Sequence, residues 1–300
     1  ITLSGGTNVV NSGTGDDTIA LSSGSDTVNT GDGDDIITAS AGTNIITSGN
    51  GDDQITVSGG TNEINAGIGN DTVTASGGAS NVDIRVLEGG DGIDTLRIIS
   101  TGNVTLPTSS GFENIFVSDT VHQSLDFSLS ASVTGIELDS GTTIDGDTIT
   151  ITLAAGQALI LDSIVDGDSA AASLADGGIV IAQDASINSL DLTLDDVGPS
   201  TSTTNENIFI DIAGTGVSTA KVTSGNDSFV VISNSGGALT GLELLGTGTM
   251  ALGTLPNSIT NVNGTAASAN LKLTIGNGSN TIRGGTGNDA ITLSGGINDV

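Results

Sequence analysis

From Leu3 to Asp83 a branched apolar residue returns every nine positions: Val10, Ile19, Val28, Ile37, Ile46, Ile55, Ile64, Val73 and Val82. Cut into nines from Leu3, the rows are of two alternating types. The odd rows read LSGGTNVVN, LSSGSDTVN, ASAGTNIIT, VSGGTNEIN and ASGGASNVD; the even rows read SGTGDDTIA, TGDGDDIIT, SGNGDDQIT and AGIGNDTVT. The apolar residue is position eight of every row. With alternating neighbours, as in Ile19-Ala20-Leu21, it suits a strand only a few residues long, because successive side chains point to opposite faces. Glycine with Asn or Asp then supplies the left-handed conformations that turn the chain. Two short strands and two turns make one coil of 18 residues, and coils stacked about 4.8 Å apart make a flattened parallel β-solenoid.

Such stacking places the sixth residues of the rows in two columns. One edge carries Asp17, Asp35, Asp53 and Asp71; the other carries Asn8, Asp26, Asn44, Asn62 and Ser80. On the first edge, carboxylates meet loops that are rich in glycine: Gly13 and Gly15, Gly31 and Gly33, Gly49 and Gly51, Gly67 and Gly69. Carboxylates converging with loop carbonyls give a hard, all-oxygen site of the kind calcium takes, with six to eight ligands at about 2.3–2.6 Å. On the second edge a stack of amides can donate and accept without a cation, Asp26 being the exception. Asp16, Asp34 and Asp52 at position five have two readings, as ligands or as solvated turn residues bonded to their own backbone. Asp32 and Asp91 at position three read as solvated.

After Asp83 the register slips, since Asp94 stands 23 residues beyond Asp71 instead of 18. The slip predicts an interrupted roll that GGDGIDTLR (Gly89–Arg97) closes. From Ile98 to Leu273 the period is two: LDFSL (Leu125–Leu129), TITITL (Thr148–Leu153), LDLTLD (Leu190–Asp195), IFIDI (Ile208–Ile212) and LKLTI (Leu271–Ile275) alternate apolar with polar residues, as strands with one face in a core do. No stretch has helical periodicity. TLPTSSGFENI (Thr105–Ile115) echoes TLPNSITNV (Thr254–Val262), and Gly-apolar-Glu recurs at Gly111–Glu113, Gly135–Glu137 and Gly241–Glu243. These echoes favour an irregular, solenoid-like β region over an unrelated sandwich. DVGPSTSTTNE (Asp196–Glu206), poor in apolar residues, reads as a hinge. The count of nine returns in IGNGSNTIR, GGTGNDAIT and LSGGINDV.

The expected organisation is therefore all-β: a β-roll over 1–97, a β-rich lobe over 98–195, a hinge over 196–206, a second β-rich lobe over 207–274 and repeats over 275–300. The chain opens on Ile in mid-pattern, which reads as a processed or excised part of something longer. Its last ten residues, ITLSGGINDV, match its first ten, ITLSGGTNVV, at eight positions. Either both ends are odd rows of one motif, or the segment is one unit of a longer concatenated array.

Charge sharpens the picture. Thirty-five acidic residues against five basic ones leave a net charge of -30, and a compact chain so charged repels itself unless cations bind. Lys221, Lys272, Arg85, Arg97 and Arg283 are scattered, so neither nucleic acid, whose phosphates require clustered cations, nor an anionic membrane surface is an expected partner. No apolar run of membrane-spanning length occurs, so membrane insertion is not expected. There is no Cys, hence no disulfide framework, and all five Phe lie between Phe112 and Phe229, leaving the ends without an aromatic core. Catalysis finds no constellation. His122 is the single histidine, with no evident orienting partner. A zinc set of His and Cys is missing, no Gly-x-Ser-x-Gly elbow occurs, and every Asp pair falls in a repeat turn.

The even rows, and above all GGDGIDTLR and GGTGNDAIT (Gly284–Thr292), resemble the GGxGxDxUx nonapeptide of the hemolysin-type, or RTX, calcium-binding repeats. That resemblance implies a parallel β-roll with Ca2+ between successive turns of one edge, export by a type I apparatus and folding outside the cell. It implies Asp17, Asp35, Asp53, Asp71, Asp94 and Asp289 as ligands, with the turn glycines already named and Gly90, Gly92, Gly285 and Gly287. The odd rows depart from it, with Asn or Ser in place of Asp. The long Thr/Ser/Val/Gly-rich β segments, with SGFENI and ANLKLTIGNGSNTIRGGTGND, are similar in style to bacterial surface-layer proteins of the Caulobacter type. An extracellular structural protein of a surface layer or filament is thus expected, self-associating in calcium, with cell-surface polysaccharide as a further partner. The competing expectation is a calcium-binding folding module of a larger RTX adhesin, toxin or secreted hydrolase. Both have the chain disordered without cations, with binding free energy becoming folding free energy when calcium arrives.

Overall fold

The computed structural model describes residues 1–77, 82–100, 104–105, 109–119, 124–126, 133, 135–138, 143–144, 148–162, 165–166, 178–183, 185–198 and 208–300. His122, Ser80 and residues 199–206 of the expected hinge lie outside them. The described residues contain strands and turns and no helix. The chain forms two compact units, Ile1–Val121 with Leu129–Ile136, and His122–Ser128 with Glu137–Val300. Each is a parallel β-solenoid.

In the first unit the short strands Thr18–Leu21, Ile36–Ala39, Gln54–Val57 and Thr72–Ala75 stack as one sheet, and the longer strands Thr7–Thr14, Ser25–Asp32, Thr43–Asn50 and Gly60–Ile68 as another. Registers are even. Ile19 pairs with Ile37, Ile37 with Ile55, and Ile55 with Val73, while Val10 pairs with Val28, Val28 with Ile46, and Ile46 with Ile64. The apolar residue at position eight therefore forms one buried column in each sheet. Because every second side chain points inward, positions six and one flank it inside the coil. Position one of the odd rows adds Leu21, Ala39, Val57 and Ala75. Position one of the even rows adds a feature hidden in the sequence: Thr30 and Ser48 are fully buried, Thr30 Oγ1 donating to the Ser48 carbonyl at 2.9 Å and Ser48 Oγ to the Ala66 carbonyl at 2.6 Å.

The roll is not interrupted after Asp83, as the register slip had predicted. Val82–Asp91 joins the longer-strand sheet, with Val82 opposite Gly60 and Gly90 opposite Gly67. The extra residues are taken up in two places. Four precede Val82, which pairs 22 residues on from Gly60, and one enters as a β-bulge at Arg85, between the pairs Ile84–Asn62 and Val86–Glu63. A bulge adds a residue without inverting the remainder of the strand, so Ile84 and Leu87 both stay buried. Nor does GGDGIDTLR close the roll. Thr95–Ser100 pairs onward with Asn114–Asp119, and the coil shortens so that Leu96 meets Ile115.

The second unit builds the same architecture with uneven coils. One sheet stacks Ala158–Asp162, Ser189–Asp195, Thr219–Ser224, Gly241–Gly246, Asn261–Ala267 and Asn280–Arg283; the other stacks Thr148–Leu153, Gly178–Gln183, Ile208–Ile212, Ser228–Ser233, Met250–Thr254, Leu271–Ile275 and Ala290–Leu293. Bonds between neighbouring coils span 30 residues at Ser218–Asn188, 22 at Thr240–Ser218 and 18 at Asn280–Asn298. Strand alternation survives turns of any length, whereas a fixed nine-residue count does not. The region thus reads as period two in sequence while remaining a solenoid. Asp196, at φ 55, begins a turn after Ser189–Asp195, and the Val197 amide reaches Ser228 Oγ at 3.3 Å.

Candidate metal centre

The turn in the middle of each even row brings two adjacent backbone amides, at positions five and six, to the edge of the roll. Neither lies in a strand, and both need acceptors. The coil supplies them from the aspartates of its neighbours. The amide of Asp17 donates to Asp35 Oδ1 at 2.7 Å, that of Asp35 to Asp53 Oδ1 at 2.8 Å, that of Asp53 to Asp71 Oδ1 at 2.8 Å and that of Asp71 to Asp94 Oδ1 at 2.8 Å. Position five runs the opposite way. The amide of Asp34 donates to Asp16 Oδ1 at 3.0 Å, that of Asp52 to Asp34 Oδ1 at 2.8 Å and that of Asn70 to Asp52 Oδ1 at 2.7 Å. Two ladders of opposite direction thus tie every coil to both neighbours.

They differ in burial. Asp16, Asp34 and Asp52 are exposed, while Asp35, Asp53, Asp71 and Asp94 are at most 1 % exposed. Asp17, on the first coil of the column, is half-buried. In each of the four buried carboxylates Oδ1 is satisfied by one amide, and Oδ2 is buried with no hydrogen-bond partner. A carboxylate can accept at both oxygens, and burying one without compensation is unfavourable. Burial, more than any neighbour, raises Asp71 to about 6, and the Asp53, Asp94 and Asp52 carboxylates push the same way. Burial likewise raises Asp53 and Asp94 above the usual carboxylate range. The orphaned oxygens are what a column of hard cations would fill. Among the described residues no three His, Cys, Asp or Glu side chains gather as a metal group, so ions held here would complete their shells with backbone carbonyls.

The glycines keep those carbonyls close. Gly51, at φ 131, lies so near the Gly33 carbonyl that a Cβ would overlap it, and Gly69 stands in the same relation to Gly51. Gly31, Gly49, Gly67, Gly90 and Gly92 repeat this along the edge, whereas Gly13 and Gly15, on the first coil, have open space beside them. Asp32 at position three is exposed and accepts from Asn50 Nδ2 at 2.7 Å.

The column ends on a residue the nonapeptide pattern does not mark. The Asp94 amide donates to Glu113 Oε2 at 2.8 Å, so Glu113 takes the place of the next aspartate. Its sequence signal was the recurring Gly-apolar-Glu, in which Phe112 is buried. Asp289, expected as a ligand, belongs to the second unit and differs from the column. It is exposed, its Oδ1 accepts from the amide of Leu271 at 3.0 Å and its Oδ2 from that of Gly285 at 3.0 Å. Leu271 stands where the preceding aspartate would be, so both oxygens are occupied and no second carboxylate faces them. Gly285 and Gly287 pack against the Ala267 and Ala269 carbonyls, as the roll glycines do against theirs.

On the opposite edge the amides pair along the stack: Asn8 Nδ2 donates to Asp26 Oδ1 at 2.6 Å and Asn44 Nδ2 to Asn62 Oδ1 at 2.9 Å.

No curated protein and no solved structure matches the chain. The family model of the RTX calcium-binding nonapeptide repeat matches it in four copies, at residues 2–37, 21–55, 56–79 and 274–300. Gly89–Arg97 falls outside these matches, yet the Asp71–Asp94 bond carries the column into it. Over residues 2–79 and 274–300 the chain is therefore similar to the hemolysin-type RTX calcium-binding repeats.

Proposed function

We propose that the chain is a secreted calcium-binding protein that folds outside the cell and serves as structural material of a bacterial surface layer or filament. The observation that carries the calcium dependence is the row of buried, unpartnered Oδ2 atoms at Asp35, Asp53, Asp71 and Asp94. Each uncompensated buried ion costs several kcal/mol. Four of them rival the whole stability of a domain, about 5–15 kcal/mol. At neutral pH the first unit then holds together only when cations lie among these oxygens. Ca2+ would be held by Asp17, Asp35, Asp53, Asp71 and Asp94 with Glu113 at the end of the column, and it would supply the positive charge that the five basic residues of the chain do not. A chain that stays extended until it meets millimolar calcium is suited to export before folding.

The structural role is supported by what the second unit adds. It builds a parallel stack through buried columns such as Leu192, Val222 and Leu244, and among its described residues no buried acidic row is repeated. Such coils provide rigid length. Circular dichroism with and without chelator, followed by electron microscopy of the calcium-loaded protein, tests both levels. Sheets or fibres in calcium are expected. A β signal indifferent to chelation at neutral pH overturns the calcium role. Calcium-folded monomers that never assemble overturn the structural role and leave a folding module of a larger RTX protein.

A further inference from the structure

We propose that Asn277–Gly278 is a self-modification site of the folded chain, where the Gly278 amide nitrogen attacks the Asn277 carboxamide and converts Asn277, through a succinimide, to aspartate and isoaspartate. The sequence holds three Asn-Gly pairs, Asn50–Gly51, Asn263–Gly264 and Asn277–Gly278. Glycine has no Cβ to shield its nitrogen or restrict its backbone, so this pair closes the ring most readily. What separates the three is whether the glycine amide and the Asn carboxamide are already committed to other partners.

In the even rows of the first unit the glycine at position four gives its N–H to the next coil. Gly15 donates to the Asp32 carbonyl at 2.6 Å, Gly33 to that of Asn50 at 2.8 Å, Gly51 to that of Ile68 at 2.8 Å and Gly69 to that of Asp91 at 2.9 Å. In the odd rows the bond between coils is made one residue later. Ser25 donates to the Gly6 carbonyl at 2.9 Å, Thr43 to that of Gly24 at 2.9 Å and Thr61 to that of Gly42 at 2.8 Å. The amides of Gly6, Gly24 and Gly42 have no acceptor among the described residues.

Asn50 falls on an even row, and its pair is held at both ends: Gly51 is bonded to Ile68, and Asn50 Nδ2 donates to Asp32 Oδ1 at 2.7 Å. Asn277 falls on a row of the odd kind, in which Asn280 Nδ2 reaches Asn298 Oδ1 at 2.7 Å as Asn44 reaches Asn62. Gly278, at φ 150, has no acceptor for its amide among the described residues, and the Asn277 carboxamide has no hydrogen-bond partner there. Both asparagines are exposed, so access of water does not separate them. Asn263 is held as well, its Oδ1 accepting from Thr265 Oγ1 at 2.8 Å, with Gly264 buried inside the strand Asn261–Ala267.

Ring closure forms a bond from Gly278 N to Asn277 Cγ and breaks Cγ–Nδ2, the amide proton leaving with that nitrogen as ammonia. Water then opens the ring at either carbonyl. One opening gives aspartate, the other isoaspartate, whose main chain runs through the side-chain carbon. Water is the one co-reactant. Either product adds a carboxylate to a chain of net charge -30, in the turn between the strands Leu271–Ile275 and Asn280–Arg283. Gly51 cannot attack until its coil opens. The fold thus leaves the turn at Asn277 open to ageing and keeps the turn at Asn50, within the aspartate column, unaltered.

The test follows the three pairs in the full chain, folded in calcium-containing buffer and unfolded in urea, with circular dichroism as the check on folding. After incubation in mildly alkaline buffer, peptide mapping by mass spectrometry measures the conversion of Asn50, Asn263 and Asn277, and hydroxylamine cleavage traps the succinimide. In urea all three are expected to convert. In the folded chain Asn277 is expected to convert at least about tenfold faster than Asn50 and Asn263, whose glycines react only on opening. Equal rates at Asn50 and Asn277 in the folded chain, whether both fast or both slow, overturn the proposal. Ser23→Asn supplies a second readout at another odd row, where the Gly24 amide is free and Ser23 is a half-buried turn residue. The folded variant is expected to convert at the new pair as Asn277 does, and a new pair that stays intact in the folded chain likewise overturns the assignment. Because urea supplies the unfolded state, neither result depends on whether calcium drives folding.

Discussion

The backbone amide of Asp53 donates to Asp71 Oδ1 at 2.8 Å, while Asp71 Oδ2, on the same buried carboxylate, meets no donor. One oxygen of each rung is thus spent on holding the next coil and the other is left for a cation. Removing a side chain from the middle of the column therefore removes an acceptor for the preceding amide and, on the proposed function, a ligand. Asp35→Ala and Asp53→Ala are each expected to raise the calcium concentration at the midpoint of the folding transition, followed by circular dichroism. Asp16→Ala, which removes an exposed acceptor from the opposite ladder, is expected to shift it less. Equal shifts for all three would assign the calcium effect to backbone capping alone.

Protons compete for the same oxygens. Burial raises Asp71 to about 6, and Asp53 and Asp94 move in the same direction, whereas in the unfolded chain an aspartate titrates near 3.9. Between about pH 4 and 6 the calcium-free folded state consequently binds more protons than the unfolded state, and its stability falls as pH rises through that window. The proton-linked stabilisation is present below about pH 4 and lost above about 6. In chelator, the β signal is expected to be larger near pH 4.5 than near pH 7; with limiting calcium, acidification over the same range is expected to raise the midpoint. A calcium-free signal that grows toward neutrality would contradict the burial of these carboxylates.

Glycine at the edge is required by the approach of one coil to the next. Gly15, at φ 98, has nothing beside it, so Gly15→Ala bears only the backbone strain of a non-glycine residue there, about 1–3 kcal/mol. Gly51→Ala bears that strain and also sets a methyl group against the Gly33 carbonyl. It is expected to cost more than about 4 kcal/mol, read as a loss of urea resistance at saturating calcium. The two substitutions are chemically identical, so a similar loss for both would mean that the coils are not packed as closely as the Gly33–Gly51 approach requires.

Much of this was legible because the first unit repeats. A count of nine placed Ile19, Ile37 and Ile55 in one column, and a count of eighteen placed Asp17 to Asp71 in another. Where coil length varies, the count fails although the physics does not. The step from Asp71 to Asp94 read as a break because four residues added before Val82 and a bulge at Arg85 change the count without breaking the stack. The lengths of turns in the second unit erased its period while leaving the alternation of strands. Glu113 escaped notice because the nonapeptide asks for Asp, and a longer side chain one coil further on can reach the same amide. Asp289 differs from the column for the converse reason: the motif around it is complete, but the preceding coil presents Leu271 where the roll presents an aspartate. The buried hydroxyls of Thr30 and Ser48 carried no signal, since Ser and Thr are equally common on the outer face.

Those hydroxyls and the apolar column beside them should differ in what they contribute. Ile46 is fully buried between Val28 and Ile64, so Ile46→Ala leaves a cavity that stacked backbones cannot collapse around, and a loss of about 2–5 kcal/mol is expected. Ser48→Ala deletes the donor to the Ala66 carbonyl without opening a comparable void, at a cost of about 1 kcal/mol. Urea titration at saturating calcium measures both, and the calcium midpoint separates them from the edge variants. Because Ile46 does not belong to the acidic column, the number of bound ions should be unchanged in its folded variant, whereas the Ser48 hydroxyl also faces the Asp53 carboxylate. A loss of ions in Ile46→Ala at full folding would place the apolar column and the carboxylates in one site, against the separation of core and edge on which the coil is built.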